Sequence, residues 1–135
     1  MKRIIYSRPD GSVSVVCPAL DTDEGLAAAQ AKLPADAINP KVVDFSAIPQ
    51  DRTFRNAWRQ NETLVQHDMP KAREIQESRM ETSRRIKMRD LLLREELGEN
   101  VAAEKAAVRA INARALCQTA QTPEELKAVL SNILK

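Results

Sequence analysis

Aromatic side chains are scarce in this sequence of 135 residues: Phe, Trp and Tyr together make up 3% of it, with a single Trp and a single Tyr. Apolar residues still reach 43%. Many of them are Ala, so the surface each removes from water is modest, and an elongated or partly solvated shape fits the supply. Glycine is almost absent, with only Gly11, Gly25 and Gly98. Loops that cradle phosphate use several glycines close together, which excludes that device here. His67 is the only histidine and would have to serve any Ser-His-Asp or Cys-His arrangement alone. No serine or cysteine stands in a nucleophile-elbow context, so His67 reads as a linker residue. Cys17 and Cys117 lack ligand spacing, which leaves zinc and a CxxC redox pair unsupported and makes buried, reduced thiols the expectation. No catalytic residue, metal site or cofactor is expected, and the chain does not read as an enzyme.

Long hydrophobic runs are missing too. The start, "MKRIIYSRPDG", holds a three-residue apolar run, far short of the roughly 7 to 15 residues of a signal-peptide core. No stretch approaches the roughly 20 residues of a membrane span. A charge excess of one sign is also lacking: 21 basic residues face 19 acidic ones, for a net charge of +2. A dedicated nucleic-acid-binding domain carries a stronger field, so any such activity rests on local patches.

What is present reads as an α+β chain of one domain or a small domain with an appendage. β-rich runs flank "RPDGS", as a hairpin requires, giving strands at about 2 to 7 and 12 to 17. "DTDEGLAAAQAKLPADA" has a cap in Asp21 or Thr22, acids in its first turn, and apolar Leu26, Ala29 and Leu33 before Pro34, the marks of a short amphipathic helix. "KVVDFSAI" is a third strand, with Val43 and Phe45 on one face. Residues 1 to 50 therefore form a β-β-α-β module in which the helix lies on one face of a small sheet.

Residues 51 to 68 read as a joint. "DRTFRNAWRQN" suits one or two helical turns, with Phe54 and Trp58 at i, i+4 spacing as core anchors rather than stacking platforms. Arg52, Arg55 and Arg59 alternate with them and are expected to snorkel or to pair with Asp51 or Glu62. "NETLVQH" follows as an extended link. Asp68 then caps a helix whose Pro70 falls in the first turn, where no N–H partner is lost.

Residues 69 to 135 read as helical: a long helix to about 97 stopped by Gly98, an Ala-rich helix over 99 to 120 with Val101, Val108, Ile111 and Ala115 on one stripe, and a last helix at "TPEELKAVLSNIL" with a capping box at Thr122 and Glu125. On the long helix the heptad row Ala72, Ile75, Arg79, Thr82, Ile86, Arg89 and Leu93 has three polar members in seven. That is too polar for an ordinary core helix and marks Ile75, Arg79, Thr82, Ile86, Arg89 and Leu93 as a candidate interaction face. Met88, Leu91, Leu92, Leu93 and Leu97 give its second half enough apolar surface for burial. The same helix carries Lys71, Arg73, Arg79, Arg84, Arg85, Lys87 and Arg89 against Glu74, Glu77 and Glu81. Those cations are alternative phosphate contacts, although a run of this kind is usually a solvated face laced with i, i+3 and i, i+4 pairs.

"DRTFRNAW", followed by "DMPKAREI" and an Arg-containing helix, resembles a group of small proteins of tailed bacteriophages and prophages. The resemblance runs over most of the chain, through the "PDG" turn and the C-terminal "TPEEL", with its specificity in residues 51 to 75. Members of that group commonly have His where this chain has Gln76. Because such proteins are often encoded near virion and tail genes, the resemblance implies a structural or assembly protein of the virion, in the tail or connector region. Its partners would be other virion or assembly proteins or copies of itself, with nucleic acid the lesser alternative and no membrane. It would be found in the host cytoplasm during assembly, or within the particle.

Overall fold

The computed structural model describes residues 1–133, and the side chains of residues 1–130. The fold is α+β: strands dominate the first half and helices the second, and the chain divides into two units, Met1–Asp68 and Met69–Lys135.

In the first unit β1 (Lys2–Ser7) and β2 (Val13–Val16) form the expected hairpin. Its turn closes through Arg8 N–H to Ser12 O at 2.8 Å in one direction of the ladder and Gly11 N–H to Arg8 O at 2.9 Å within it. Asp10 Oδ1 accepts from both the N–H and the hydroxyl of Ser12. α1 (Asp23–Ala31) starts at Thr22, whose hydroxyl accepts from Gly25 N–H at 3.0 Å, and returns the chain to β3 (Ile38–Asp44). β3 runs antiparallel to β1 on its other edge, so the sheet order is β2-β1-β3.

Two expectations need correction here. The third strand begins earlier than "KVVDFSAI" and ends before Phe45, which opens a 3-10 turn, Phe45–Ala47, capped by Asp44. Pro40 is accommodated because β3 is an edge strand. Between Ile5 and Ser7 of β1 the register slips by one residue, and Asn39 at φ 55° takes up the bulge. Phe45 consequently does not share Val43's core face: Val43 is buried, while Phe45 is 40% exposed with the Arg3 guanidinium over its ring.

Residues 51 to 68 hold a larger difference. Only Arg55–Ala57 is helical, a single 3-10 turn, and Trp58 begins β4 (Trp58–Asn61), which pairs antiparallel with β5 (Leu64–His67). "NETLVQH" is thus the turn and second strand of a hairpin. Aromatic and alternating residues at Trp58, Gln60, Val65 and His67 suit a ladder better than a helix once tertiary pairing is available. Gln60 fastens this hairpin to the three-stranded sheet: its Oε1 accepts from Ser7 Oγ at 2.8 Å and its Nε2 donates to Asn39 O at 2.7 Å. Ile5, Val13, Val43, Ile48, Trp58 and Val65 make the core between them. α1 lies over the opposite sheet face, beside Tyr6 and Val16, yet none of its residues is buried.

In the second unit α2 (Met69–Glu96) has 28 residues, about 42 Å at 1.5 Å per residue. Gly98, at φ 93°, ends it. Its N–H reaches Glu95 O and that of Glu99 reaches Arg94 O, the paired bonds of a Schellman motif, which only a residue tolerant of positive φ completes without strain. The expected single helix over 99 to 120 is two: α3 (Ala102–Arg109) and α4 (Ala113–Thr119). Asn112 separates them because its side chain caps α4, accepting from Ala115 N–H at 3.1 Å. The supposed common stripe breaks accordingly, with Val101 and Val108 buried but Ala115 exposed. α5 (Pro123–Ile133) begins with the expected cap, Thr122 Oγ1 accepting from Glu125 N–H, but Glu125 reaches back to the N–H of Gln121, one residue before the cap, where a full box would use that of Thr122. The side chain of Ile133 falls outside the described ones.

α2 is the spine of this unit. It turns Ala72, Gln76, Met80 and Leu91 inward. Leu91 packs with Val101 and Val108, Met80 lies 3.6 Å from Cys117 Sγ, and Gln76 Nε2 donates to Leu126 O at 3.0 Å. The buried line is therefore not the heptad row, of which Ala72 alone is buried. Leu92, Leu93 and Leu97 are 46%, 57% and 75% exposed, against the expectation that this half of the helix is covered.

Candidate interaction face

The exposed side of α2 follows from the helical angle. Ile86 and Leu91 are five residues apart, about 140° around the axis at 100° per residue, so burying Leu91 against α3 turns Ile86 away. Ile75, Arg79, Thr82, Ile86, Arg89 and Leu93 all lie along that outward line, and Leu97 extends it. Ile75 is half-buried and the other five candidates are exposed, Ile86 at 62%. The line from Ile75 to Leu97 is about 33 Å long. Its polar members cost less to cover than their names suggest. Thr82 Oγ1 donates to Ser78 O at 3.1 Å within the helix, which satisfies the hydroxyl, and Arg79 and Arg89 can lay their methylene stems along an apolar partner.

The candidate phosphate contacts divide into two kinds. Arg73 donates through Nε and Nη2 to Ala120 O, at the end of α4, at 3.2 and 2.9 Å. Arg84 donates through Nε to Val108 O, in the last turn of α3, at 3.2 Å, and pairs with Glu81 at 2.9 Å. Both guanidiniums thus bond carbonyls at helix ends, Arg84 as an addition to the Ile111 N–H that Val108 O also accepts at 3.3 Å. Lys71 pairs with Glu74 at 3.2 Å. Arg85 and Arg89 are exposed and Lys87 is half-buried.

The four joint residues end in different settings. Trp58 is 1% exposed and belongs to the core of the first unit, and Phe54, 2% exposed, precedes the 3-10 turn. Asp68 is the last residue of that unit: its N–H donates to Ala57 O at 2.8 Å, and its carboxylate lies 3.6 Å from Arg59 Nε. Arg59 therefore pairs with Asp68 rather than with Asp51 or Glu62; Asp51 instead accepts from Thr53, and Glu62 lies 3.9 Å from Lys41. Pro70 stands in the first turn of α2. His67 faces Trp58 across the β4–β5 ladder.

Cys17 is exposed, which corrects the expectation of two buried thiols, while Cys117 is buried as expected and both are free. Burial, and secondarily the Glu77 carboxylate, push the Cys117 thiol above its ordinary value. Among the described residues no three His, Cys, Asp or Glu side chains gather as metal ligands, and no helix is long and apolar enough to cross a membrane. Sequence reasoning missed one feature, a cavity in the first unit lined by Arg3, Arg52, Arg55 and Trp58. Arg3 is far from the other two in sequence, and Arg52 and Arg55, close to the only Trp, were read as snorkelling or ion-pairing residues of an expected helix. Set against known protein families, curated proteins and solved structures, the chain matches none.

Proposed function

We propose that the chain is a virion-associated structural or assembly protein of a tailed bacteriophage, in the tail or connector region, that works through protein–protein contacts with other virion proteins or copies of itself. One observation carries this reading: the line of Ile86, Leu93 and Leu97 on the outward side of α2, each more than half exposed. Apolar side chains repeated along one face of a long helix favour burial against another surface. The resemblance of residues 51 to 75 to small phage proteins supports the setting.

The rival reading, phosphate contact by the cations of α2, draws on fewer groups than their number suggests, since Arg73 and Arg84 already serve helix ends. Such binding would weaken steeply with added salt.

The test is the double substitution Ile86→Glu with Leu93→Glu. Both side chains are exposed, so thermal stability should change by no more than about 0.5 kcal/mol. The unaltered chain should be detected by mass spectrometry in purified particles or in an assembly intermediate, and the variant should be lost from it. Absence of the unaltered chain from both, or unimpaired incorporation of the variant, would overturn the proposal.

A further inference from the structure

Beneath the edge of the three-stranded sheet, wholly within the first unit, lies a cavity of about 130 Å³ lined by three arginines, Arg3, Arg52 and Arg55, and by no carboxylate. Its apolar wall includes Trp58, Ile48 and Phe45. Two of the residues that line it carry an N–H that is buried without an acceptor among the described residues, Trp58 Nε1 and Arg3 Nε. Arg3 is otherwise fixed: Nη1 donates to Lys2 O at 2.9 Å and the guanidinium lies over Phe45 at 5.1 Å. Arg52 and Arg55 are exposed at the rim, and neither side chain is in an ion pair among the described residues. The neighbouring acid, Asp51, takes its hydrogen bonds from Thr53.

Buried donors lacking an acceptor are costly in a folded protein and are found where a further group completes them. Several cations around such donors select an acceptor that is itself negative, and guanidinium forks match the paired oxygens of a carboxylate. The apolar wall demands that this anion carry a hydrophobic body. The size limits that body, since a cavity of about 150 Å³ holds one benzene ring. We propose that this cavity binds a small organic carboxylate whose apolar body is no larger than a single ring. The site does not depend on α2 or on the function proposed above.

Trp58 is the only tryptophan, so the indole N–H of the 15N-labelled full chain gives one NMR resonance, from a residue that lines the cavity. Benzoate is the probe, benzamide its uncharged counterpart, and inorganic phosphate the oxyanion without an apolar body. Benzoate should shift the indole resonance saturably, with a dissociation constant of about 1 mM or lower. Benzamide, and benzoate added to the Arg52→Gln, Arg55→Gln variant, should each bind at least about tenfold more weakly. No saturable shift with benzoate up to about 10 mM, tenfold above that constant, would overturn the site. Equal binding of benzamide would overturn charge recognition, a comparison made on the unaltered chain and so immune to misfolding of the variant. Saturation by phosphate but not by benzoate would overturn the assignment of a carboxylate with an apolar body.

Discussion

Trp58 has 1% of its surface exposed and packs with Ile5, Val13, Val43, Ile48 and Val65, which makes it the largest contributor to a core built almost without aromatics. Trp58→Ala should cost about 3 to 5 kcal/mol, measured by chemical denaturation followed by circular dichroism; a cost under about 1 kcal/mol would contradict its burial. Two turns of the same unit rest on single carboxylates. The Ser12 hydroxyl, then its N–H, hold Asp10 below its ordinary 3.8, and the Ser46 N–H, then its hydroxyl, do the same for Asp44. A carboxyl whose folded pKa is depressed contributes stability that is present above its unfolded value and lost as pH falls through the folded one. Acid should therefore loosen both turns from about pH 4 downward. Asp10→Asn with Asp44→Asn should flatten the dependence of melting temperature on pH in that window, and an unchanged slope would remove these two groups from the account.

Among the elements, α1 holds the least expected constraint. Replacing a helical glycine by alanine ordinarily gains up to about 1 kcal/mol, and α1 has no buried residue to complicate the exchange. At Gly25, however, an added Cβ would lie 2.1 Å from the backbone oxygen of Leu20, so the helix start must move. Gly25→Ala should lower stability by about 1 to 3 kcal/mol, read from thermal unfolding, and a gain would show that the approach relaxes freely. The elements that were legible in the sequence are those whose signals are local: the turn at Asp10 and Gly11, the Thr22 cap, the Gly98 stop, and the cap at Thr122. The illegible ones depend on pairing across the fold. Phe54 and Trp58 at helical spacing gave the same signal as a strand that starts at Trp58, and only the ladder to His67 decides between them. On α2 a heptad row was visible, but which of several rows turns inward depends on where α3, α4 and α5 dock. Five of the six residues of the candidate face are exposed and Ile75 is half-buried, while the buried line through Gln76 and Met80 was not anticipated. A polar residue such as Gln76 reads as solvated until its amide is seen to meet Leu126 O.

At the scale of the whole molecule the chain divides between Asp68 and Met69 into a mostly β unit and an all-helical one. Each has its own buried cluster. Stability of this kind is not one number, since two cores with different compositions have different free energies of opening. The placement of the only tryptophan in the first unit and of nearly all helix in the second separates them spectroscopically. Indole fluorescence follows the β unit alone, and ellipticity at helix wavelengths follows chiefly the helical one. Denaturation watched by the two signals together should give two midpoints rather than one, and coincident curves would show a single cooperative transition. The paucity of aromatics leaves the second unit, with α2 to α5, without an indole of its own to report on it.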